Sequence, residues 1–298
     1  MAKRFYYGGQ AVIEGVMMRG QKNRVTVVRR PDGELAIDTQ PLASIYTGWM
    51  RSTPLLRGII VLIEALVLGT KTMLYSANVS LGEEEEKISG GLVWALVIFS
   101  VALAVGLFSM APLFLTKLLD PYIQSSMVFH LIEGLIRLAI FIIYLKVMAL
   151  VSDIKRVFAY HGAEHKTVNA YENGVPLKVE VIKKYSTAHA RCGTSFLFIV
   201  LIIAILTFAL IGRPPSLWVM VLLRIILIPV IAAFAYEVTH FAGRHTQNRL
   251  VRTILYPGLL LQRLTTREPD ESQLEVAISA LKKVMEIEQP EEAAQSTP

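Results

Sequence analysis

Two histidines and a glutamate stand within one helical turn in the segment His161-Gly162-Ala163-Glu164-His165. On a helix, His161 and His165 lie on one face, where their imidazoles can bind one metal ion with Glu164 beside it. A glutamate in that place can act as general base toward a water that the metal activates. The H-x-x-E-H pattern therefore predicts a divalent metal centre that carries out hydrolysis, with zinc as the first choice and iron as the alternative.

Two sets of further ligands fit this pair. In the open set Glu237 is the third ligand, because its distance from His165 along the chain resembles that of the downstream glutamate in the inverted zinc peptidases. In the closed set His189 and Cys192 complete a four-ligand structural site. Mixed sets, in which His189 or His240 joins the pair, are further alternatives. An open site favours catalysis, whereas a closed site favours a scaffold.

Near the N-terminus an acid and a base, Glu14 and Arg19, lie among several glycines. Glycine allows tight turns and a close approach of another group to the backbone. Two interpretations are equally open. The segment is a substrate-binding lip over the metal, with Glu14 and Arg19 contacting the substrate, or it is a packed turn that supports the sheet.

The elements that must position these residues are mostly membrane helices. The chain has 298 residues, of which 53% are hydrophobic, and this is too apolar for an ordinary soluble domain. A bilayer core needs about 20 residues of helix, so the long apolar runs predict four transmembrane helices. They cover residues 92–115, 131–151, 196–212 and 217–236.

The distribution of Lys and Arg predicts the orientation, because loops rich in these residues stay in the cytoplasm. Residues 1–90 hold eleven of them, 152–195 hold seven and 238–298 hold seven, whereas each loop on the other side holds one. Both termini and the central loop 152–195 are therefore predicted to be cytoplasmic. The basic excess is explained by orientation and lipid headgroups, and without a stripe of interleaved aromatics we expect no nucleic-acid partner.

Three regions are predicted along the chain. Residues 1–90 form a cytoplasmic N-terminal region, 91–266 the four-span membrane domain, and 267–298 a polar tail that holds one amphipathic stretch and is disordered from 291.

Within the N-terminal region, β-branched runs on both sides of Pro31-Asp32-Gly33 predict a β-hairpin over 24–38, with glycine at positive φ. Charges interrupt the apolar run 55–75, which is predicted to be an interfacial or re-entrant helix. Residues 83–86, all glutamate, predict a solvated acidic turn before the membrane. The fold class is thus a predominantly α-helical polytopic membrane protein with a small N-terminal β-hairpin region.

Charged residues also occur inside the predicted spans. Glu133 and Arg137, four apart on one helix, are expected to form an ion pair that holds the bundle. Arg224, in the fourth predicted span, is expected to play a similar part with a partner that the sequence does not identify.

Four blocks of sequence in order resemble the bacterial YqhQ family. They are GGQAVIEGVMMRG at 8–20, YHGAEHKT at 160–167, RCGTSF at 191–196 and PGLLLQRLTTREP at 257–269. The resemblance runs from about residue 7 to 281. It implies a multi-pass protein of the bacterial cell membrane that is a predicted metal-dependent enzyme. Ala190 departs from the family pattern, in which proline is usual, and this affects the geometry of the loop rather than the ligands.

The sequence therefore favours a membrane-embedded hydrolase that faces the cytoplasm, with Glu164 as base and His161, His165 and Glu237 as ligands. Its partners are membrane lipids and a substrate that is either a peptide bond in a membrane protein or a lipid-linked ester. The alternative is a membrane scaffold or assembly factor with a structural His/Cys site. A transporter is less favoured, because intramembrane charges are few and the span pairs show no inverted repeat.

Overall fold

The computed structural model of the protein describes residues 5–81, 90–245 and 248–295, with side chains as far as Glu288. Its first part is an antiparallel sheet whose strands pair in sequence order. The strands are β1 (Gly8–Val12), β2 (Gly15–Arg19), β3 (Asn23–Arg29) and β4 (Leu35–Pro41).

The predicted hairpin over 24–38 is confirmed by β3 and β4. Thr26 lies opposite Asp38, and Gly33 in the turn has φ +92°, a conformation that glycine adopts without strain. The sequence predicted no strands over 8–20, where β1 and β2 form a second hairpin. The predicted acidic turn at 83–86 lies outside the described residues.

Helices make up most of the described ranges. They are α1 (Ser44–Thr47), α2 (Trp49–Ser52), α3 (Leu56–Leu81), α4 (Gly90–Val105), α5 (Ala111–Lys117), α6 (Ser126–Met148), α7 (Ser152–Glu172), α8 (Val179–Ile182), α9 (Gly193–Ile211), α10 (Leu217–Ile226), α11 (Ile228–Arg244), α12 (Arg249–Thr265) and α13 (Glu271–Gln295). A π-helical stretch, Gly106–Met110, joins α4 to α5. The tail predicted to be disordered from 291 is helical as far as Gln295.

Four helical runs in the described ranges are long and apolar enough to cross a membrane. They are α3, the run from α4 through α5, α6 and α9. The last three correspond to the predicted spans 92–115, 131–151 and 196–212. The predicted fourth span, 217–236, is instead the pair α10 and α11, which would make a fifth span if the two are taken together.

The break between α10 and α11 bends the chain by 46°. Pro229 lies in the first turn of α11. Proline has no N–H, and its ring clashes with the carbonyl four residues before it, so the helix cannot pass straight through. The span predicted over 217–236 is therefore two helices and not one straight helix.

Helix α3 is longer than the interfacial helix predicted over 55–75, and two of its three charged residues have ion-pair partners. Arg57 donates to Glu237 on α11 with Nε 2.8 Å from Oε1. Glu64 accepts from Arg19 of β2 at 2.7 Å. Because paired charges cost less to bury than free ones, these residues do not exclude a helix of span length.

The sheet packs against α7 and α13 to form the main hydrophobic core. Val16 and Val27 of the sheet are fully buried there with Tyr160 of α7 and Leu281 of α13. The amphipathic stretch predicted in the tail therefore forms an element of this core. Burying each such side chain contributes about 1.5–3 kcal/mol.

A buried ion cluster links α6 to α10. The predicted pair is confirmed, with Arg137 Nη2 2.7 Å from Glu133 Oε1. Arg224 also donates to Glu133, through Nε at 3.1 Å and Nη2 at 2.6 Å, so the partner missing from the sequence analysis is the same carboxylate. His130 lies 3.2 Å from Glu133 and 2.9 Å from the carbonyl oxygen of Gly212. The Glu133 carboxylate thus joins α6 to α10, and His130 joins α6 to the end of α9.

Candidate metal centre

Helix α7 carries the pentad as the sequence predicts. The ring centroids of His161 and His165 are 4.3 Å apart, and His165 is only 2% exposed. Tyr160 and Ala163 of the same helix are buried in the core against the sheet. The packing of this helix therefore fixes the backbone from which both imidazoles project.

Cys192 is the third residue that the structure brings to this place. It is buried at the N-cap of α9, and its Sγ lies 3.4 Å from His161 Nε2. One donor atom from each of His161, His165 and Cys192 lies within 4.8 Å of the others. Tetrahedral zinc with bonds of about 2.0–2.3 Å separates its ligand atoms by roughly 3.3–3.7 Å, so a small closure of the group would hold the ion.

Hydrogen bonds fix the tautomers of both histidines. His161 Nδ1 lies 2.8 Å from the carbonyl oxygen of Thr265, and His165 Nδ1 lies 2.6 Å from that of Thr187. A carbonyl oxygen only accepts, so in both rings Nδ1 carries the proton and donates it. Nε2 is then the atom with a free lone pair. This is the arrangement that supports metal-bound histidines in proteins.

The sulfur of Cys192 accepts a hydrogen bond at the start of α9. The donor is the N–H of Thr194, which lies 3.4 Å from Sγ. Thiolate is the form that binds metals. The donor set of two imidazoles and one thiolate therefore fits zinc or another borderline-soft divalent ion.

Glu164 lies beside the three donors rather than among them. Its Oε2 is 3.5 Å from His165 Nε2, and the residue is 4% exposed. The β1 strand covers it closely, because a Cβ on Gly9 would lie 2.6 Å from Glu164 Cγ. The absence of a side chain at Gly9 thus allows Glu164 to pack closely against the β1 backbone.

Glu237, the third ligand of the open set, is engaged elsewhere. It accepts from both Nε and Nη2 of Arg57, and its Oε1 accepts from the N–H of Leu55 at 2.9 Å. His240, one turn further on α11, stacks on Tyr236 with ring centroids 5.9 Å apart. The donor group assembled on α7 includes neither Glu237 nor His240. Spacing along the chain does not reveal that an arginine of α3 takes this carboxylate.

His189 lies next to the group without joining it. Its ring centroid is 5.6 Å from that of His165, while its Nε2 is 3.4 Å from Glu172 Oε1. Burial lowers the pKa of His189, so its ring is neutral at pH 7. The donor group contains only His161, His165 and Cys192, so among the described residues the closed set with four ligands is not assembled, and the His189 ring contacts Glu172 instead.

Glu14 and Arg19 hold the sheet to the helices. Glu14 lies at φ 51° in the turn between β1 and β2, where Arg156 Nε donates to it at 2.6 Å and the Tyr160 hydroxyl at 3.3 Å. Arg19 pairs with Glu64 and also donates to the backbone carbonyl of Tyr46 at 3.0 Å. These contacts match the packed-turn interpretation, and the proposed contact of either residue with substrate stays a prediction.

Residues that could not be identified from the sequence form hydrogen bonds to the donor group and to His189 beside it. Gln262 of α12, fully buried, accepts from the N–H of His189 at 2.9 Å and donates to its carbonyl at 2.8 Å. Thr265 and Thr187 contribute backbone carbonyls, as described above. Because every residue has a carbonyl, nothing in the sequence singles these positions out.

The chain is similar in sequence to known bacterial proteins. The family described as "Protein of unknown function (DUF1385)" matches residues 53–287. The chain is 35% identical over 296 residues to "Uncharacterized protein YqhQ" of Bacillus subtilis (strain 168), covering 95% of this chain and 93% of that protein. No solved structure matches the chain.

Proposed function

The chain belongs to the DUF1385 family, that of YqhQ, and we propose that it is a membrane-embedded, metal-dependent hydrolase. The observation that carries the proposal is the meeting of His161, His165 and Cys192, with both Nε2 atoms freed for an ion by Nδ1 hydrogen bonds. Three protein ligands are the number found in catalytic zinc sites, where a fourth position is open.

The proposed location is the bacterial cell membrane, with both termini and the metal centre on the cytoplasmic side. Support comes from the helices of span length and from the concentration of Lys and Arg in the same segments as the sheet and the pentad. The ends of α9 and α12 that hold Cys192 and Thr265 would then lie at the membrane surface.

When bound, a divalent ion would polarise the scissile carbonyl and make an attacking water more acidic. The chain supplies the proton transfer. Glu164 accepts the proton of the water through its carboxylate and passes it to the leaving group. Burial beneath β1 keeps bulk water away from this carboxylate and holds it near His165. The substrate is a peptide bond in a membrane protein or a lipid-linked ester.

A structural metal site in a scaffold or assembly factor is the second candidate, and one observation favours it. The donor group joins three separate segments, namely α7, the loop that precedes α9 and, through Thr265, the end of α12. An ion there would tie these segments together. The two functions differ in what Glu164 does, because only the hydrolase needs its carboxylate.

The first test is the metal content of purified protein by mass spectrometry. We expect about one equivalent of zinc or iron in the wild type. His165→Ala and Cys192→Ser should lose it, whereas Glu164→Gln should retain it. His240→Ala is the matched control, since this histidine lies outside the donor group. Wild-type protein without metal after reconstitution, or a Cys192→Ser variant with full metal content, would contradict the proposed site.

The second test separates catalysis from scaffolding. A strain whose own copy is replaced by Glu164→Gln should accumulate an uncut membrane protein or lipid-linked ester, detectable by comparing its membrane proteins and lipids with those of the wild type. If that strain is indistinguishable from wild type while Cys192→Ser impairs growth or assembly, the scaffold is the correct function.

A further inference from the structure

An open groove runs between the first half of α12 and the loop that leads into α9. It has a volume of about 780 Å³. We call it the α12 groove and define it by residues on its two walls, Ser186, Ala188, Arg249, Arg252, Tyr256 and Leu259. The donor atoms of the metal centre do not line it.

Two arginines give the α12 groove its charge. Arg249 and Arg252 are three residues apart on α12, so their side chains lie on neighbouring parts of one face. Both are exposed, and among the described residues neither guanidinium has a hydrogen-bond or ion-pair partner. Guanidinium groups bind phosphate with two parallel hydrogen bonds, so two adjacent free ones favour an anionic phosphate ligand.

The same helix exposes large apolar side chains next to these charges. Leu250, Ile254 and Tyr256 are 75%, 62% and 58% exposed. Arginine beside exposed leucine, isoleucine and tyrosine is the composition of a helix that lies in the membrane interface. A lipid matches both features at once, because its headgroup carries the phosphate and its chains cover the apolar side.

We propose that the α12 groove binds the headgroup of an anionic phospholipid, with the phosphate between Arg249 and Arg252 and an acyl chain along Tyr256 and Leu259. The proposal rests on the proposed membrane location, but not on hydrolysis. The groove lies on the helix that also contacts the residues around the metal centre. Gln262 and Thr265, which hold His189 and His161, follow on the same helix.

The experiment is native mass spectrometry of the full-length protein in detergent, titrated with phosphatidylglycerol or with phosphatidylcholine. We expect the protein to retain phosphatidylglycerol preferentially. Arg249→Gln with Arg252→Gln should weaken this binding about 30-fold, which corresponds to ~2 kcal/mol for two charges. Arg263→Gln, an exposed arginine of the same helix outside the groove, is the matched control and should bind as the wild type does.

Three results would overturn the proposal. They are equal retention of phosphatidylcholine, equal loss of binding in Arg263→Gln, and competition by inorganic phosphate alone at matched concentration, which would show a phosphate site rather than a lipid site. The metal content of each sample is measured in parallel. If the double variant loses lipid binding and keeps its metal, the substitutions have affected the groove and not the metal centre. The lipid result can then be judged separately from the proposed hydrolase.

Discussion

Gly162, inside the pentad, lies where α7 comes closest to the segment that follows α12. A Cβ at this position would be 2.0 Å from the carbonyl oxygen of Arg267 and 3.3 Å from Thr187 Cγ2. The Arg267 backbone is held in place because its N–H donates to the carbonyl of Phe158 at 2.9 Å. Carbon and oxygen atoms in contact are about 3.3 Å apart, so Gly162→Ala must separate the two segments by roughly 1.3 Å.

Two effects oppose each other in Gly162→Ala. Alanine favours the helix by about 1 kcal/mol over glycine, whereas overpacking against an unyielding neighbour costs about 1–3 kcal/mol. The neighbour here is backbone, which cannot rotate away, so the upper part of that range applies. We expect a net loss of about 1–2 kcal/mol, equivalent to an apparent melting midpoint lower by about 2–8 °C.

The assay is thermal unfolding of the detergent-purified variant, followed together with its metal content. The metal content should also fall, because the carbonyl of Thr265 that receives His161 is two residues from Arg267. Gly91→Ala on α4 is the control, since its added Cβ meets nothing within 4 Å. A Gly162→Ala protein that melts with or above the wild type would refute the account of how α7 is packed.

Three further predictions concern buried carboxylates and amides. Glu133→Gln leaves two buried arginines without a counter-charge and should destabilise the fold by about 3–5 kcal/mol, measured as loss of folded protein in detergent. Glu288→Ala removes the carboxylate oxygen that accepts from the N–H groups of Lys22 and Asn23, so hydrogen exchange of that turn should increase, whereas Glu286→Ala at an exposed neighbouring position should leave it unchanged. Gln262→Leu removes both hydrogen bonds to the backbone of His189, whose carbonyl also accepts from the N–H of the ligand Cys192 at 3.3 Å, and should weaken zinc binding about 10-fold in a chelator competition.

Some of the fold could be predicted from local sequence because local forces determine it. The hairpin turn at Gly33 follows from glycine's freedom at positive φ, and three of the helices that are long and apolar enough to cross a membrane follow from apolar runs. The shared face of His161 and His165 follows from helical periodicity alone. Family membership, inferred from four sequence blocks, is confirmed.

The remaining features depend on contacts between distant parts of the chain. From the sequence, both Glu237 and Cys192 could be ligands together with the histidines. Only the tertiary fold shows that Glu237 pairs with Arg57, whereas Cys192, at the start of α9, lies next to His161. The length of α3 depends on contacts of the same kind, since Glu64 pairs with Arg19 of β2 and Arg57 pairs with Glu237 of α11. Hydrophobic periodicity predicts which residues are buried, but it does not predict which of them are in contact.

The most direct test of the central claim is X-ray absorption spectroscopy at the zinc edge of zinc-loaded protein. With His161, His165 and Cys192 as ligands, the spectrum should fit one sulfur at about 2.3 Å and two imidazole nitrogens at about 2.0–2.1 Å, with a lighter atom in the remaining position. Cys192→Ser should lose the sulfur shell. A first shell without sulfur in the wild type, or an unchanged sulfur shell in the variant, would contradict the proposed metal centre.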